Sequence, residues 1–561
     1  MKKLKIGLLI VLGLLLIAVG VYYFKVRVDE PEIAYQAEHA KTVNASEGFF
    51  QTDNGSFLKE NSNGLWEMYL KGKPYELGVA FGALAHEAGL IQEKEAAFVS
   101  EIENRIPSAS YLNFLKYMVG WFNRDLEEYI PTAYLNEIYG SSHYMPDAYD
   151  YIAPKFHRAL SYHAAHDIGH ALQNMNLVGC TSFATWGEQS DNNQLLIGRN
   201  FDFYFGEEFS KDKIIAFYRP ENGYQFMSVT WACFSGVVSG MNEKGLTITL
   251  NAAKSAIPTK GKTPVSIIAR DILQQAGNIE EALAIANKYE SFVAETFLIG
   301  SKADNEVGLI EKSPGKTALF TSQKNEMVIT NHFQSDELKN DPLNLEYEAE
   351  GVSGYRYKRV KQLIDSLAPL SAKDVASILR DKKGLNGQNI GLSNEKAINQ
   401  LVAHHSVIFS PHEMIAWVSA PPYVLGEYVA YDLNEIFATT DQIAKIDSLS
   451  IPQDSFATST AFKAYQRFVD IKAKIQTYLF KGGGEQLTNE EIHEFIQSNP
   501  DGFLTYYYLG DYMLMLENYE KAQEYFKIGL TKDIAKVSEH KHMLEGLAEA
   551  REKLKSSGKN D

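Results

Sequence analysis

Cysteine is nearly absent from this sequence: there are 2 among 561 residues, Cys180 and Cys233. Two cysteines cannot form a disulfide framework. Neither sits in a C-x-x-C pair or in a spaced Cys/His pattern that would cage a metal. What remains is an inert core thiol, a single bridge or a nucleophile. Positive charge is also short, with 54 Lys and Arg against 71 Asp and Glu and a formal net charge of −17. The chain as a whole therefore has no electrostatic pull on nucleic acid, and no nucleic-acid partner is expected. Walker loops and Rossmann glycine patterns are missing, and no cofactor is expected. The composition that is present, 45% hydrophobic, 22% charged and 12% aromatic, excludes disordered, collagen-like and coiled-coil classes. The length predicts two or three domains.

Residues 1–5 carry three lysines, and residues 6–24 carry no charge. Nineteen such residues span a hydrocarbon core at about 1.5 Å each. Tyr22 and Tyr23 close the run, where amphipathic rings favour the interface. A cleaved signal peptide is the rival reading, but its usual A-x-A site is missing. No cysteine follows the run, which excludes a lipoprotein anchor. Residues 1–28 are read as a signal anchor, with the bulk of the chain outside the cytoplasm. Lys25 and Arg27 after the span weaken the charge asymmetry that sets orientation.

Residues 29–63 are polar and weakly patterned, which predicts a tether. Residues 64–179 are mostly helical in spacing, notably 78–106, 111–129 and 152–175. From Cys180 onward, short apolar runs alternate with turn residues. Strands are predicted at 194–198, 214–218, 225–233, 246–250, 296–299, 307–311, 327–330, 406–409 and 414–419. Helices interrupt them at 264–288 and 355–367. Strands grouped around a few helices give an α+β fold over residues 180–450. Residues 451–561 are helical again. Tyr506, Leu509, Gly510, Ala522 and Phe526 fall at the offsets of one tetratricopeptide (TPR) repeat. A capping helical hairpin and a module that binds a protein partner are both open readings of this tail.

Cys180 follows a glycine at the change from helical to strand character and opens Cys180-Thr181-Ser182. Past the next apolar run comes Gly198-Arg199-Asn200-Phe201-Asp202. These strings resemble choloylglycine hydrolases. With Ile130-Pro131-Thr132-Ala133-Tyr134-Leu135-Asn136-Glu137-Ile138-Tyr139-Gly140 and Gly179-Cys180-Thr181, the chain more closely resembles the isopenicillin N acyltransferase-like family of autoproteolytic cysteine N-terminal-nucleophile (Ntn) hydrolases. The resemblance covers roughly residues 65–431. It implies an αββα four-layer sandwich, a cut at the Gly179–Cys180 bond, and a propeptide retained as a smaller subunit. It also implies action on the linear amide bond of an N-acyl amino compound, by hydrolysis or acyl transfer.

The chemistry can be stated without the family. A free thiol has a pKa of about 8.5 and an α-amino group one of about 8. If the Gly179–Cys180 bond is cut, the freed amine lies beside its own sulfur and can take the thiol proton, so one residue supplies nucleophile and base. By motif position, Asp202 corresponds to the aspartate that holds the α-amine, and Arg199 to the arginine beside the thiol. Asn331 corresponds to the oxyanion asparagine and Asn251, more loosely, to a second polar residue near the nucleophile. Arg356 and Arg359 both cover the later family arginine; Arg359 is preferred as the second arginine of that pattern, although spacing does not settle the choice. Cys233 has no such company and reads as core, with no Cys180–Cys233 bridge expected.

Other constellations compete. His163, His166 and His170 share a helical face whose spacing suits zinc, but the metalloprotease signature needs Glu where Asp167 stands. A polar helix face is the reading preferred, with no metal. His404, His405 and His412 border an apolar strand and read as structural or substrate-contacting. Asn44-Ala45-Ser46 and Asn54-Gly55-Ser56 are sequons, meaningful only in a eukaryotic secretory host. The aromatic runs 117–122 and 201–205 suit an acyl pocket or plain core equally. The rival from another class is an inert membrane-anchored scaffold that binds a partner through its tail.

Overall fold

The computed structural model describes residues 2–33, 42–46, 48–106, 108–171, 178–203, 205–254, 256, 258–439 and 442–556. The chain opens with helix α1 (Lys2–Val26), whose stretch Leu4–Val26 has a mean hydropathy of 2.7, is not buried, and is long and apolar enough to cross a membrane. Strands β1 (Thr42–Ser46), β2 (Phe49–Thr52), β3 (Phe57–Glu60) and β4 (Trp66–Gly72) follow. Helices α2 (Pro74–Glu87), α3 (Leu90–Arg105), α4 (Ala109–Phe122), α5 (Thr132–Ser142) and α6 (Lys155–Ala171) come next. The reading of 29–63 as a tether is corrected here. Phe57 and Leu58 alternate faces and are buried, and Asn54-Gly55 turns β2 back on β3, with Gly55 at φ 81°. Two strands of four residues are too short for their pattern to show in a polar composition. The helical region likewise begins one strand late, because β4 is buried along Trp66–Leu70.

The second half carries β5 (Val178–Thr185), β6 (Leu196–Phe203), a single-turn helix α7 (Glu207–Ser210), β7 (Ile214–Pro220), β8 (Phe226–Thr230), β9 (Ser239–Asn242) and β10 (Leu246–Ala253). Then come α8 (Val265–Gln275) and α9 (Ile279–Ala286), which replace the single predicted helix 264–288. The chain breaks at Gly277, and Asn278 restarts the helix by accepting from the Glu281 N–H at 2.9 Å. Strands β11 (Ala294–Ser301), β12 (Glu306–Ser313), β13 (Lys316–Thr321) and β14 (Glu326–Ile329) precede α10 (Pro342–Glu350), α11 (Ser353–Leu367) and α12 (Ala372–Leu379). Strands β15 (His405–Ser410), β16 (Ile415–Ser419) and β17 (Tyr428–Asp432) close the strand region.

Among the described residues the strands form two sheets, one of eleven in the order β1-β2-β3-β4-β7-β8-β9-β10-β11-β12-β13 and one of six in the order β14-β5-β6-β15-β16-β17. All neighbours are antiparallel except β4 and β7. Alternation along each strand sends side chains to two faces. Ile197, Val407 and Val418 of the small sheet meet Ile215, Phe217 and Leu298 of the large one in a common core. The intervening residues, such as Phe183, Ile408 and Trp417, pack outward on Val360 and Ile364 of α11 and Val375 and Leu379 of α12. The other face of the large sheet packs on α2, α5 and α8. The fold is α+β, as expected.

The string 130–140 has a packing cause. A Cβ on Gly140 would lie 2.6 Å from the Tyr75 carbonyl oxygen, so only glycine lets α2 and α5 approach. Glu137 then reaches Arg270 of α8 in a buried ion pair at 2.9 Å.

The tail forms helices α13 (Leu433–Ala438), α14 (Thr460–Lys481), α15 (Asn489–Ser498), α16 (Phe503–Met515), α17 (Tyr519–Gly529) and α18 (Val537–Ser556). A Cβ on Gly510 would collide with the Phe526 ring, so glycine there permits the close contact of α16 and α17. The core of α14–α18 also encloses Val352, Leu401 and Leu425 of the preceding region.

Candidate active site

Cys180 lies in β5 opposite Phe201 of β6, and Gly179 lies opposite Asp202. Successive residues point to opposite faces, so Cys180 and Arg199 share one face of the small sheet while Asp202 shares the other with Gly179 and Thr181. The thiol is free and 1% exposed. Arg199 donates to its sulfur from Nη2 at 3.6 Å. The same guanidinium donates to the carbonyls of Leu250 at 2.5 Å and Val238 at 2.7 Å and to Ser239 Oγ, and it stacks on the Phe201 ring. Ser239 in turn contacts His405 Nε2 at 2.8 Å, and His405 contacts His404 through their Nδ1 atoms at 2.9 Å. Burial keeps both imidazoles neutral, with pKa values well below the ordinary one. The two histidines thus brace Arg199 from below.

On the other face Arg356, from the first turn of α11, donates to the Cys180 carbonyl oxygen at 2.5 Å and to Thr181 Oγ1 at 2.9 Å. Its second nitrogen reaches Asn331 Oδ1 at 2.6 Å. That same oxygen accepts from the Cys180 backbone N–H at 3.2 Å, while Asn331 Nδ2 donates to the Ala252 carbonyl at 2.9 Å. Two donors on one amide oxygen fix the orientation of the Asn331 side chain. Asn331 therefore offers an acceptor to the Cys180 nitrogen, while one of the two N–H donors of its amide nitrogen is spent on Ala252. The hydrogen bonds of Asn251 go elsewhere than Cys180. Asn251 accepts from Ser182 Oγ at 2.7 Å and donates to the Thr330 carbonyl at 3.0 Å, tying β5 and β10 to the end of β14.

Arg359 is a correction. One turn further along α11, it forms a two-pronged pair with Asp381 at 2.8 and 3.1 Å and does not reach the cysteine. Three residues of helix advance the chain by about 4.5 Å, enough to move a side chain from β5 to the 381 loop.

Asp202 accepts from Gln400 Nε2 at 3.2 Å through Oδ2, while its Oδ1 is buried without a hydrogen-bond partner. Burial pushes this carboxyl up to about 7, against the pull of Arg356 and Arg199. Burial also pushes the Cys180 thiol up to about 11; Arg199 opposes this, and Asp202 and Glu295 add to it. In the continuous chain the sulfur is thus held as a thiol beside a cation. Sequence reasoning missed Gln400 and Ser239, since nothing in their local strings distinguishes them.

The remaining candidates lie elsewhere. Cys233 is buried in the turn after β8 at φ 62°, and burial raises its thiol. His163 contacts the Ala159 carbonyl at 2.7 Å and accepts from the Ser235 N–H at 2.9 Å, so both ring nitrogens are spent. The side chains of His166 and His170, the other members of the zinc reading, lie outside the described residues. Phe203 and Trp231 pack next to Phe201 and border a cavity of about 40 Å³ that Cys233 also lines. That volume holds a water or two and no acyl chain. Tyr117 and Trp121 lie instead on α4 against Tyr22 of α1.

Residues 188–421 match the family model described as acyl-coenzyme A:6-aminopenicillanic acid acyl-transferase. The match begins beyond β5, so Cys180 precedes it. Among curated proteins, an uncharacterized protein of Archaeoglobus fulgidus is 25% identical over 290 residues, covering 48% of this chain and 47% of that protein. Protein dcd1B of Dictyostelium discoideum is 24% identical over 286 residues, 48% of this chain and 55% of that protein. An N-acylethanolamine-hydrolyzing acid amidase of Caenorhabditis elegans is 26% identical over 145 residues, 24% of this chain and 40% of that protein. The chain spans about half the length of the curated relatives it matches. Of solved structures, a Caenorhabditis elegans N-acylethanolamine-hydrolyzing acid amidase orthologue superposes with a TM-score of 0.31 at 18% identity, over 42% of this chain and 93% of the other. A conjugated bile acid hydrolase from Clostridium perfringens gives 0.34 at 15%, over 48% and 96%.

Proposed function

We propose that this chain, which carries an acyl-coenzyme A:6-aminopenicillanic acid acyl-transferase domain at residues 188–421, is an autoproteolytically activated cysteine Ntn amidohydrolase or acyltransferase. The observation that carries the reading is the surroundings of the Gly179–Cys180 peptide. A buried thiol lies beside Arg199, the nitrogen of the same residue donates to Asn331, and a carboxyl with a vacant oxygen lies across the strand at Asp202.

In the cut, Cys180 Sγ gives its proton to solvent and the resulting thiolate attacks the Gly179 carbonyl carbon. The C–N bond breaks, the Cys180 nitrogen leaves as an amine with a proton delivered by Asp202, and a Gly179 thioester remains. Water then hydrolyses the thioester to the Gly179 carboxylate and a free thiol. The new amine keeps Asn331 Oδ1 as acceptor and gains Asp202 Oδ1, the buried oxygen that has no hydrogen bond in the continuous chain. In turnover the amine takes the Sγ proton, sulfur attacks the substrate amide carbon, and the proton passes to the leaving nitrogen. Water or an amine acceptor then releases the acyl group. Arg356, in place of Arg359, fixes the Cys180 carbonyl and the Asn331 orientation.

The proposed architecture is residues 1–28 as membrane anchor, 64–179 as propeptide and 180–450 as an αββα catalytic sandwich, with the catalytic domain extracytoplasmic. The three core clusters, one between the sheets and one on each outer face, support four layers. The substrate class is an N-acyl amine, in line with the name of the amidase relative. The close α16–α17 contact at Gly510 supports one TPR-like hairpin in residues 451–561.

Intact mass of the purified chain tests the proposal. Two fragments with a new terminus at Cys180 are expected, and Cys180→Ala stays whole. A wild-type chain that remains whole over days and releases no amine from N-acyl amides supports the inert scaffold instead.

A further inference from the structure

The loop between α12 and β15 carries Gln400, and this side chain has two neighbours that matter. Its Nε2 donates to Asp202 Oδ2 at 3.2 Å, and a Cβ built on Gly179 would lie 3.2 Å from the same nitrogen. Gln400 is thus packed against both the carboxyl and the glycine of the bond to be cut. The next residue, Leu401, holds a left-handed φ of 57°, which is costly for a branched side chain and persists only where its surroundings enforce it.

Those surroundings are the C-terminal helices. Leu401 is fully buried in their core. Tyr465 of α14 donates to the Leu401 carbonyl at 3.4 Å and shares a 2.5 Å hydrogen bond with Ser393. Asn499 grips Leu392 in both directions, at 3.0 Å each. Asp533 accepts from Lys396 at 2.5 Å through its carboxylate and from Asn394 at 2.7 Å through its carbonyl, and Lys536 pairs with Glu395. One loop is therefore fastened along its length by groups from residues 465–536, all of them beyond the family match at 188–421.

We propose that the C-terminal helices are part of the catalytic apparatus: they clamp the 388–401 loop so that Gln400, a positioning residue, holds Asp202 against the Gly179–Cys180 peptide. This rests on the proposed role of Asp202 in processing. The titratable and charged groups that act on Asp202 are Arg199 from β6, Arg356 from α11, the Cys180 thiol from β5 and Glu395 from the loop itself, which is paired with Lys536. A Gln400 N–H donated to the carboxylate favours its charged form. Its removal raises the pH at which Asp202 loses its proton, and a cation in its place lowers it.

The test uses the full chain and the rate of appearance of the Cys180 fragment across pH. Wild type is expected to break near pH 7. Gln400→Met is expected to slow processing up to roughly tenfold, the scale of one buried hydrogen bond, and to move the break upward. Gln400→Lys moves it downward. The double variant Tyr465→Phe, Asp533→Ala loosens the clamp without touching the site and moves the break in the direction of Gln400→Met by a smaller amount, with far-UV circular dichroism and the thermal midpoint recording that the tail stays folded. An unmoved break in Gln400→Met overturns the positioning role, and normal processing in the double variant overturns the clamp. If the double variant unfolds, Gln400→Met and Gln400→Lys still decide the positioning role, and Asn394→Ala repeats the clamp test from the loop side. A wild-type chain that never cuts is a failure of the proposed function and not of this inference.

Discussion

Arg356 and Arg359 differ by three positions and by their whole chemistry. Truncating Arg356 leaves the Cys180 carbonyl and Asn331 Oδ1 without their shared donor in a buried site, and hydrogen bonds to charged groups are worth about 1.5–3 kcal/mol each. Arg356→Ala is expected to slow formation of the Cys180 fragment at least tenfold. Arg359→Ala removes the partner of Asp381 instead. It should process within about threefold of wild type and lose about 1–3 kcal/mol in urea unfolding, and gel densitometry with a denaturation curve separates the two.

Asp202 gives the pH dependence. Below about pH 7 the thiolate fraction rises with pH while Asp202 stays protonated, so the processing rate climbs. Above about 7 each gain in thiolate is offset by loss of the Asp202 proton, and the rate levels off. Asp202→Asn should process more slowly and show no break near pH 7. The stability consequence has its own sign. A carboxyl raised from the ordinary carboxylate value to about 7 binds a proton on folding, so its contribution is full below about pH 4 and is lost as pH rises through about 7. In the uncut Cys180→Ala background, Asp202→Asn is expected to flatten that part of the pH–stability curve.

Among elements, legibility followed sequence distance. Cys180, Arg199 and Asp202 stand on two adjacent antiparallel strands joined by a short connection, so their order in the chain is nearly their order in space. The helix at 355–367, the helical character of 78–106 (two helices, α2 and α3, parted at Gly89) and most strands of 194–419 were visible through apolar period. The β2–β3 hairpin was not, because four-residue strands are too short to display a period and look like loop. Gln400 could not be read at all: its partner Asp202 is 198 positions away, and the residues that place it lie in the tail. Gly140 shows the opposite case, a visible motif glycine whose cause appears only in the contact of α5 with α2. Gly140→Val inserts three carbons where a single Cβ already meets the Tyr75 carbonyl at 2.6 Å and the Val79 nitrogen at 2.8 Å. Overpacking against backbone costs about 1–3 kcal/mol or more, and the urea midpoint should fall accordingly, with the buried Glu137–Arg270 pair disturbed alongside it.

For the whole molecule, the charge distribution matters as much as the count. The net charge of −17 repels anionic lipid, yet the stretch 106–123 contains a single charged residue, Lys116, and exposes Tyr111, Phe114, Tyr117, Met118 and Trp121 on α4. This helix touches the end of α1: Tyr22 donates to the Tyr117 carbonyl at 2.9 Å and stacks on Trp121. If α1 spans a bilayer, its Tyr22 end lies at the interface and carries the aromatic face of α4 there. Two consequences can be measured on the full chain in liposomes. The protein should float with the vesicles and resist an alkaline wash, and Leu12→Arg with Leu16→Arg should abolish this, since each charge costs about 2.5–3.5 kcal/mol at the centre of a span. Trp66, Trp186, Trp231 and Trp417 are buried and Trp121 is half-exposed, so lipid brominated near the headgroup should quench a component of the emission that Trp121→Phe removes. Flotation without that quenching would leave α1 as the anchor and detach α4 from the membrane. Quenching of Trp121 by aqueous iodide in the floated protein would likewise place α4 in water and not in the headgroup layer.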